Sequence, residues 1–313
     1  MPELPEVETV RAGLEPALTG ATITAIEVLE ARSLKRHPGP VEDFVETLIG
    51  AQICGVVRRG KFLWMPLQLA EAKRSSGEKL ALVGHLGMSG QMLLREVGAE
   101  PDKLTRVIIR ARELSGSEVE LRFVDQRIFG SLAIDELVAT NDGSPGGFSN
   151  GTGLGSWWQN LIPKSAAHIA RDPLDDAFQS GSVLAKFKKK NSGIKRVLLD
   201  QQTLSGIGNI YADEALWRSK LHYDQPANSL SSAKANELIK NVQEILRKAV
   251  SEGGTSFDEQ YKNVNGESGY FAVSLNAYGM TGVPCARCGA PIVRESWMNR
   301  GSHFCPRCQK LKR

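Results

Sequence analysis

Residues 1–10 read Met-Pro-Glu-Leu-Pro-Glu-Val-Glu-Thr-Val, and they predict a helix almost at the start of the chain. Pro5 suits the first turn of a helix, where the N–H it lacks has no intrahelical partner. Val7, Val10, Leu14 and Leu18 then recur near a period of 3.6 residues, the mark of one buried face. With Met1 removed, Pro2 is a terminal secondary amine with the Glu3 carboxylate beside it. Most chain ends are frayed and carry no function. An amine tethered one turn from a packed helix is instead held in place, as a nucleophile requires.

Beyond this helix, segments rich in Val, Ile, Leu and Thr alternate with short turns. They predict strands over 22–29, 52–58, 62–67, 80–86, 105–112 and 118–124, the spacing of a β-sandwich or barrel. Two polar inserts, 71–79 and 141–156, read as loops, and the second carries five glycines between Gly143 and Gly153. It is expected to open a linker between domains. From about Pro173 the pattern turns helical. Ala235, Leu238, Ile239, Val242, Ile245, Leu246 and Ala249 form an amphipathic stripe closed by Gly253 and Gly254. Before it lies a pair of shorter helices, 194–200 and 209–220, joined by a turn that ends Gly206-Ile207-Gly208. Asn209 reads as the cap of the second, where backbone N–H groups can approach an anion. The expected fold class is α+β, divided as 1–140 β-sandwich with its N-terminal helix, 141–172 linker, 173–270 helical domain and 271–313 C-terminal module.

Cys285 and Cys288 form one C-x-x-C pair and Cys305 and Cys308 another, with sixteen residues between them. That is the spacing of a tetrathiolate Zn2+ site, one structural ion. Cys54 lies in an apolar run and reads as a small buried hydrophobe. No apolar run approaches the roughly 20 residues that cross a bilayer, and the first 20 residues carry four glutamates rather than a basic and apolar leader. No membrane partner is expected, and the protein reads as cytoplasmic. The net charge of +4 is modest, but it is unevenly spread. Seven Lys or Arg against one acid lie in 281–313, and six basic residues with no acid lie in 186–196. Two such clusters in a nearly balanced chain suggest a polyanion-binding face.

The stretches PELPEVETV after Met1, RRGKFLW at 58–64, HLGMSG at 85–90, FVDQRIFG at 123–130, LLDQQTLSGIGNIYADEAL at 198–216, GYFAVSLNAYG around Tyr270 and the paired cysteines, taken together in this order, resemble the formamidopyrimidine-DNA glycosylases. The resemblance covers nearly the whole chain. It implies a monomeric, nucleoid-associated, bifunctional DNA glycosylase and abasic-site lyase that removes oxidised purines, chiefly 8-oxoguanine and formamidopyrimidines, from damaged double-stranded DNA. It further implies a helix-two-turn-helix motif in the helical domain and a β-hairpin zinc finger after it. By the same resemblance Pro2 is the nucleophile, Glu3 the general acid or base, Lys61 a phosphate ligand that aids β-elimination, and Arg300 the finger arginine of δ-elimination. His85, Lys190 and Asn209 match positions that contact phosphates beside the lesion, with Lys188 and Lys189 equally open for that of Lys190. Met88, Arg127 and Phe129 match the side chains that fill the gap left by an extruded base. Met and Phe suit a wedge between bases and Arg suits the orphaned partner base.

Some points stay open at this level. Glu3 and Glu6 cannot be ranked as proton carrier. Leu104 stands where relatives usually carry a DNA-binding histidine, so that interaction is either absent or supplied by Lys103 or Arg106. The loop 258–268, where the family reads the flipped base, has no distinctive residues. An endonuclease VIII-type enzyme for oxidised pyrimidines is the nearest alternative, and Leu4 argues against it because that branch typically has glycine there. A nonenzymatic zinc-finger DNA-binding protein accounts for the cysteines and basic clusters but not for Pro2, Glu3 and Lys61. Retention of Met1 would turn the Pro2 nitrogen into an unreactive amide.

Overall fold

The computed structural model describes residues 2–71, 77–100, 102–151, 153–255, 264 and 271–312. The chain falls into two compact units, one running to His168 and resumed at Thr255, the other running from Ile169 to Gly254 and taken up again in the C-terminal stretch.

The first unit begins with α1 (Leu4–Leu18), capped by Glu3 and carrying Pro5 in its first turn. Leu4, Val7, Val10, Leu14 and Leu18 are all buried, so the predicted stripe is the real one. Glu8, Arg11 and Glu15 are buried as well, on the side of the helix that the apolar periodicity leaves unexplained. The chain then forms β1 (Thr22–Val28), α2 (Val41–Leu48), β2 (Gln52–Ile53), β3 (Val57–Arg59), β4 (Phe62–Gln68), β5 (Leu80–His85), β6 (Gly90–Glu96), β7 (Thr105–Arg112), β8 (Glu118–Asp125), β9 (Ser131–Ala139) and β10 (Leu161–Pro163). The sheet is antiparallel in the order β10-β9-β5-β4-β2-β1-β7-β8-β6, with β3 paired to β4. It folds over on itself. Gly84 of β5 lies against Met92 of β6, far away in the sheet order, and a Cβ there would come within 2.2 Å of the Met92 methyl. Facing residues such as Met65, Leu82, Met92, Ile109, Leu121 and Phe123 share one apolar core with α1.

The strand predicted over 52–58 is two strands. Leu154 donates its N–H to the Cys54 carbonyl at 2.7 Å, and Trp158 packs on Gly55, which breaks the run at 54–56. Cys54 is fully buried, as its apolar setting suggests. The glycine-rich stretch 141–156 does not behave as the expected linker. Phe148 bridges Arg58 in backbone hydrogen bonds of 2.7 and 3.0 Å, and Asn150 donates to the Glu15 carboxylate at 2.7 and 3.2 Å. Its glycines permit this close approach, since a Cβ on Gly146 would meet the Leu161 carbonyl at 1.8 Å.

The second unit holds α3 (Ser180–Lys189), α4 (Ile194–Leu198), α5 (Asn209–Arg218), α6 (Ser232–Ser251) and the hairpin β11 (Val293–Trp297) and β12 (Arg300–Phe304). In α6 all seven residues of the apolar stripe are buried, and Ser231 caps its start by accepting the Lys234 N–H at 3.2 Å. Gly253 and Gly254 end it at φ 75° and 80°, the left-handed conformation that glycine adopts freely. Met298 and Asn299 form the two-residue tip of the hairpin, both with positive φ. Among the described residues, no helix is long and apolar enough to cross a membrane.

Candidate functional site

At the N-terminus the sequence builds a rigid support for Pro2, which is itself buried. The Glu3 N–H donates to Glu6 Oε2 at 2.8 Å, which ties the backbone at the cap position to the first helical turn. Glu6 Oε1 accepts the N–H and the hydroxyl of Thr255 at 2.8 and 2.9 Å. Both oxygens of Glu6 are therefore engaged in holding backbone. Lys61 lies in the turn between β3 and β4, directly before β4, and Gly60 supplies the positive φ of 56° there. A buried ionic chain connects this turn to α1. Arg58 Nε donates to Glu8 at 2.8 Å and its Nη1 to the Gly60 carbonyl at 3.3 Å, while Arg11 pairs with both Glu8 and Glu15 at 2.9 and 3.0 Å. Arg11 and Arg58 also face the Phe148 ring at 5.2 and 5.8 Å.

His85 ends β5, and its Nδ1 accepts the Gly87 N–H at 3.2 Å. Burial, aided by the nearby cations Arg36 and Lys35, holds its imidazole down at about 4. The ring is neutral at pH 7, and with Nδ1 accepting, its Nε2 carries the proton and can donate. The turn after His85 carries Met88, and the loop after β8 carries Arg127 and Phe129. Met88 and Phe129 are exposed by 43% and 49%, which is high for large apolar side chains, and Arg127 is exposed as well. One carboxylate organises both turns. Asp125, fully buried, accepts the Ser89 hydroxyl at 2.6 Å and the N–H groups of Arg127 and Gly130 at 3.1 and 2.7 Å. Leu104 is exposed with φ 72°, and its carbonyl accepts the Asp125 N–H at 3.2 Å. Of the two cations that could replace a histidine there, Arg106 commits its Nε to the Asp125 carbonyl at 2.8 Å, whereas Lys103 is exposed.

In the second unit the finger is bolted to the helix pair. The four Sγ atoms of Cys285, Cys288, Cys305 and Cys308 lie within 4.8 Å of one another. Zinc–sulfur bonds of about 2.3 Å in a tetrahedron put the sulfurs just under 4 Å apart, so the donor set fits one structural Zn2+. The Trp217 indole N–H of α5 points at Cys285 Sγ, 3.4 Å away. Arg300 is the first residue of β12 and is exposed. Asn209 is not the cap of α5. Gly208 takes that place, and Asn209, as the first helical residue, donates its Nδ2 to the Gly301 carbonyl at 3.0 Å, next to Arg300. Lys190 pairs with Asp200 and with the Thr203 hydroxyl, which leaves Lys188 and Lys189 as the exposed members of that run.

Lys195 corrects the reading of its cluster as a surface patch. It is fully buried, paired with Asp213 at 2.7 Å and donating to Ser302 Oγ at 2.8 Å and the Gly301 carbonyl at 3.2 Å. Asp213 in turn accepts the His303 N–H at 2.9 Å. Little in the sequence marks this network. Its one sign is a lysine inside the apolar spacing of Ile194, Val197 and Leu198, which places it on the inward side of α4. Asp125, Arg58 and Thr255 were missed as well. The first two fall inside the quoted motifs, but nothing in their type separates a buried ion from a surface one. The loop 258–268 lies, apart from Val264, outside the described residues.

Residues 1–132 match the family described as formamidopyrimidine-DNA glycosylase N-terminal domain, 169–260 its H2TH domain, and 282–311 the zinc finger found in FPG and IleRS. The formamidopyrimidine-DNA glycosylase of Leifsonia xyli is 53% identical over 311 residues, 99% of this chain and 100% of that one. The chain belongs to the formamidopyrimidine-DNA glycosylase family. The Thermobifida fusca member is 49% identical and covers 100% of this chain and 99% of its own. Among solved structures, a mutant of the Lactococcus lactis glycosylase in complex with DNA containing Fapy-dG superposes with a TM-score of 0.77 at 30% identity, covering 99% of this chain and 100% of that one. A complex of the same Lactococcus lactis protein with DNA containing an abasic site gives 0.76 at 30% identity, with coverage of 98% and 99%. This glycosylase family thus accounts for both the helix-two-turn-helix pair and the zinc-held hairpin, within an α+β fold.

Proposed function

We propose that this glycosylase excises oxidised purines, chiefly 8-oxoguanine and formamidopyrimidines, from duplex DNA as a monomer, and then cleaves the strand as an abasic-site lyase. The observation that carries the reading is the locked N-terminus: Pro2 sits directly before a buried helix whose first turn Glu6 clamps to Thr255. Once Met1 is removed, the Pro2 nitrogen attacks C1′ of the damaged nucleotide as the base departs with its bonding electrons and a proton. Glu3 moves protons at the deoxyribose, opening the ring to an iminium ion. Terminal amines titrate near 7.7 to 8.0, so a useful neutral fraction needs little perturbation. The iminium draws electrons from the C2′–H bond; loss of that proton expels the 3′-phosphate, and a second elimination expels the 5′-phosphate.

Around this chemistry, Lys61 binds phosphate and assists the first elimination, and Arg300 assists the second. His85, through Nε2–H, and Asn209 hold the phosphates beside the lesion, with one lysine of 188–190 adding to the grip. Met88, Arg127 and Phe129 fill the vacated stack. In this reading the catalytic part is 1–140, the gripping parts are 173–270 and 271–313, and the work is done in the cytoplasm at the nucleoid. The zinc ion is structural and takes no part in bond making.

The test is base release from duplexes carrying 8-oxoguanine opposite cytosine, or dihydrouracil, with Pro2→Gly in parallel. Release of 8-oxoguanine is expected well ahead of dihydrouracil, and it should disappear in the variant. Preference for dihydrouracil would move the protein to oxidised pyrimidines, and tight binding without release would make it a DNA-binding protein only.

A further inference from the structure

The loop that presents Arg127 and Phe129 adopts a backbone that its own sequence disfavours. Ile128, between them, has φ 55°. For a β-branched residue this left-handed conformation is strained, and it persists only where the surroundings impose it. Two groups do so. From inside, the Asp125 carboxylate accepts the N–H groups of Arg127 and Gly130, which pins the loop on either side of Ile128. From outside, Lys35, just past the short 3-10 turn Ala31–Leu34, donates its ammonium to the Ile128 carbonyl oxygen at 2.6 Å. That oxygen belongs to the peptide joining Ile128 to Phe129. Any rotation of Ile128 toward an ordinary conformation would swing this peptide, and the direction of Phe129 with it.

We propose that Lys35 is a positioning residue for base extrusion. By gripping the Ile128 carbonyl it keeps the strained loop preset, so that Arg127 and Phe129 enter the DNA stack without a separate ordering step. The inference rests on the reading of these two side chains as gap fillers and deepens it. A loop ordered beforehand does not lose its conformational freedom at the moment of binding, and this is where a rate advantage arises. Lys35 touches neither the reacting atoms nor the proton carriers, so its influence is confined to substrates in which a base must leave a stack.

The experiment is a single-turnover comparison of Lys35→Met, Lys35→Arg, Ile128→Gly and the double variant Lys35→Met/Ile128→Gly on two substrates. One is a duplex with 8-oxoguanine opposite cytosine; the other is a single strand carrying an abasic site, in which nothing has to be extruded. Lys35→Met should slow release from the duplex about tenfold and leave cleavage of the single strand within about twofold, with Lys35→Arg restoring most of the loss. Glycine adopts the left-handed conformation without strain. In the Ile128→Gly background, removal of Lys35 should therefore cost less than about threefold, a coupling that independent sites do not show. A full tenfold loss in that background means that Lys35 acts on the DNA directly, and a matching loss on the single strand means a general structural effect. Either result, or no loss at all, overturns the proposal. A wild-type protein that cleaves neither substrate removes the lyase reading and this inference together.

Discussion

Glu3 and Glu6 stand one helical turn apart and form a capping box, each side chain accepting the other residue's backbone N–H, and the proposed function gives the proton transfer to Glu3. Glu6 spends both oxygens on backbone and on Thr255. Glu6→Ala should thus act through stability, lowering it by about 2 kcal/mol because buried donors lose a charged acceptor. Glu3→Gln should leave the melting temperature nearly unchanged and slow base release by about 100-fold or more, the usual size of a lost general acid or base. Melting curves beside single-turnover rates for the two variants check this, and a Glu6→Ala variant that melts like wild type but is inactive would reverse the assignment. His85 makes a second residue-level prediction. Its folded value of about 4 lies below the 6.5 of an exposed histidine, mainly because burial disfavours the charged ring. Between those values the unfolded chain binds a proton that the folded chain does not. The His85 contribution is therefore whole above about pH 6.5, declines as pH falls, and is gone by about pH 4. His85→Asn should flatten the dependence of melting temperature on pH across that window, and an unchanged slope would contradict the burial.

Elements were legible where the pattern was periodic. α1 and α6 show their buried stripes directly, and β7 lies where the β-branched run Val107-Ile108-Ile109 predicts it. β6 and β9 were missed because Gly-Gln-Met-Leu-Leu-Arg-Glu and Ser-Leu-Ala-Ile-Asp-Glu-Leu-Val-Ala are rich in helix formers, and their strand state comes from pairing with β8 and β5. α2 has only eight residues, too few for its amphipathic pattern to stand out from a loop. The finger hairpin was legible through its cysteines, but its anchoring was not, because a buried Lys195 reads in sequence like its exposed neighbours. Lys195, Asp213 and Asn209 all take partners from 301–303, so loss of zinc should strip a buried ion pair of hydrogen bonds and loosen the helix pair as well. Metal analysis should find one zinc per chain, and its removal by a chelator should lower the melting temperature of the helical part. Folded, fully stable protein without zinc would count against this.

Over the whole chain, the net charge of +4 says little, and the tally of basic residues overstates the free positive surface. Lys195 is buried, Lys190 is paired with Asp200, and Arg58 belongs to the ionic chain beneath α1. In the proposed function, the grip on damaged DNA rests on a few placed groups rather than on bulk charge. What the sequence conveyed of the candidate site was the motifs that nominate those groups. What it withheld was the set of buried ions that hold them, Asp125, Arg58 and Asp213, since burial of a charge is decided by partners distant in the chain. The proposed function turns on one reacting atom, the Pro2 nitrogen. The most direct measurement is borohydride reduction during reaction with the 8-oxoguanine duplex, followed by proteolysis and mass analysis of the trapped peptide. The predicted result is a single adduct on an N-terminal peptide beginning at Pro2. An adduct on a lysine such as Lys61, or a protein that retains Met1 and forms no adduct, would contradict it.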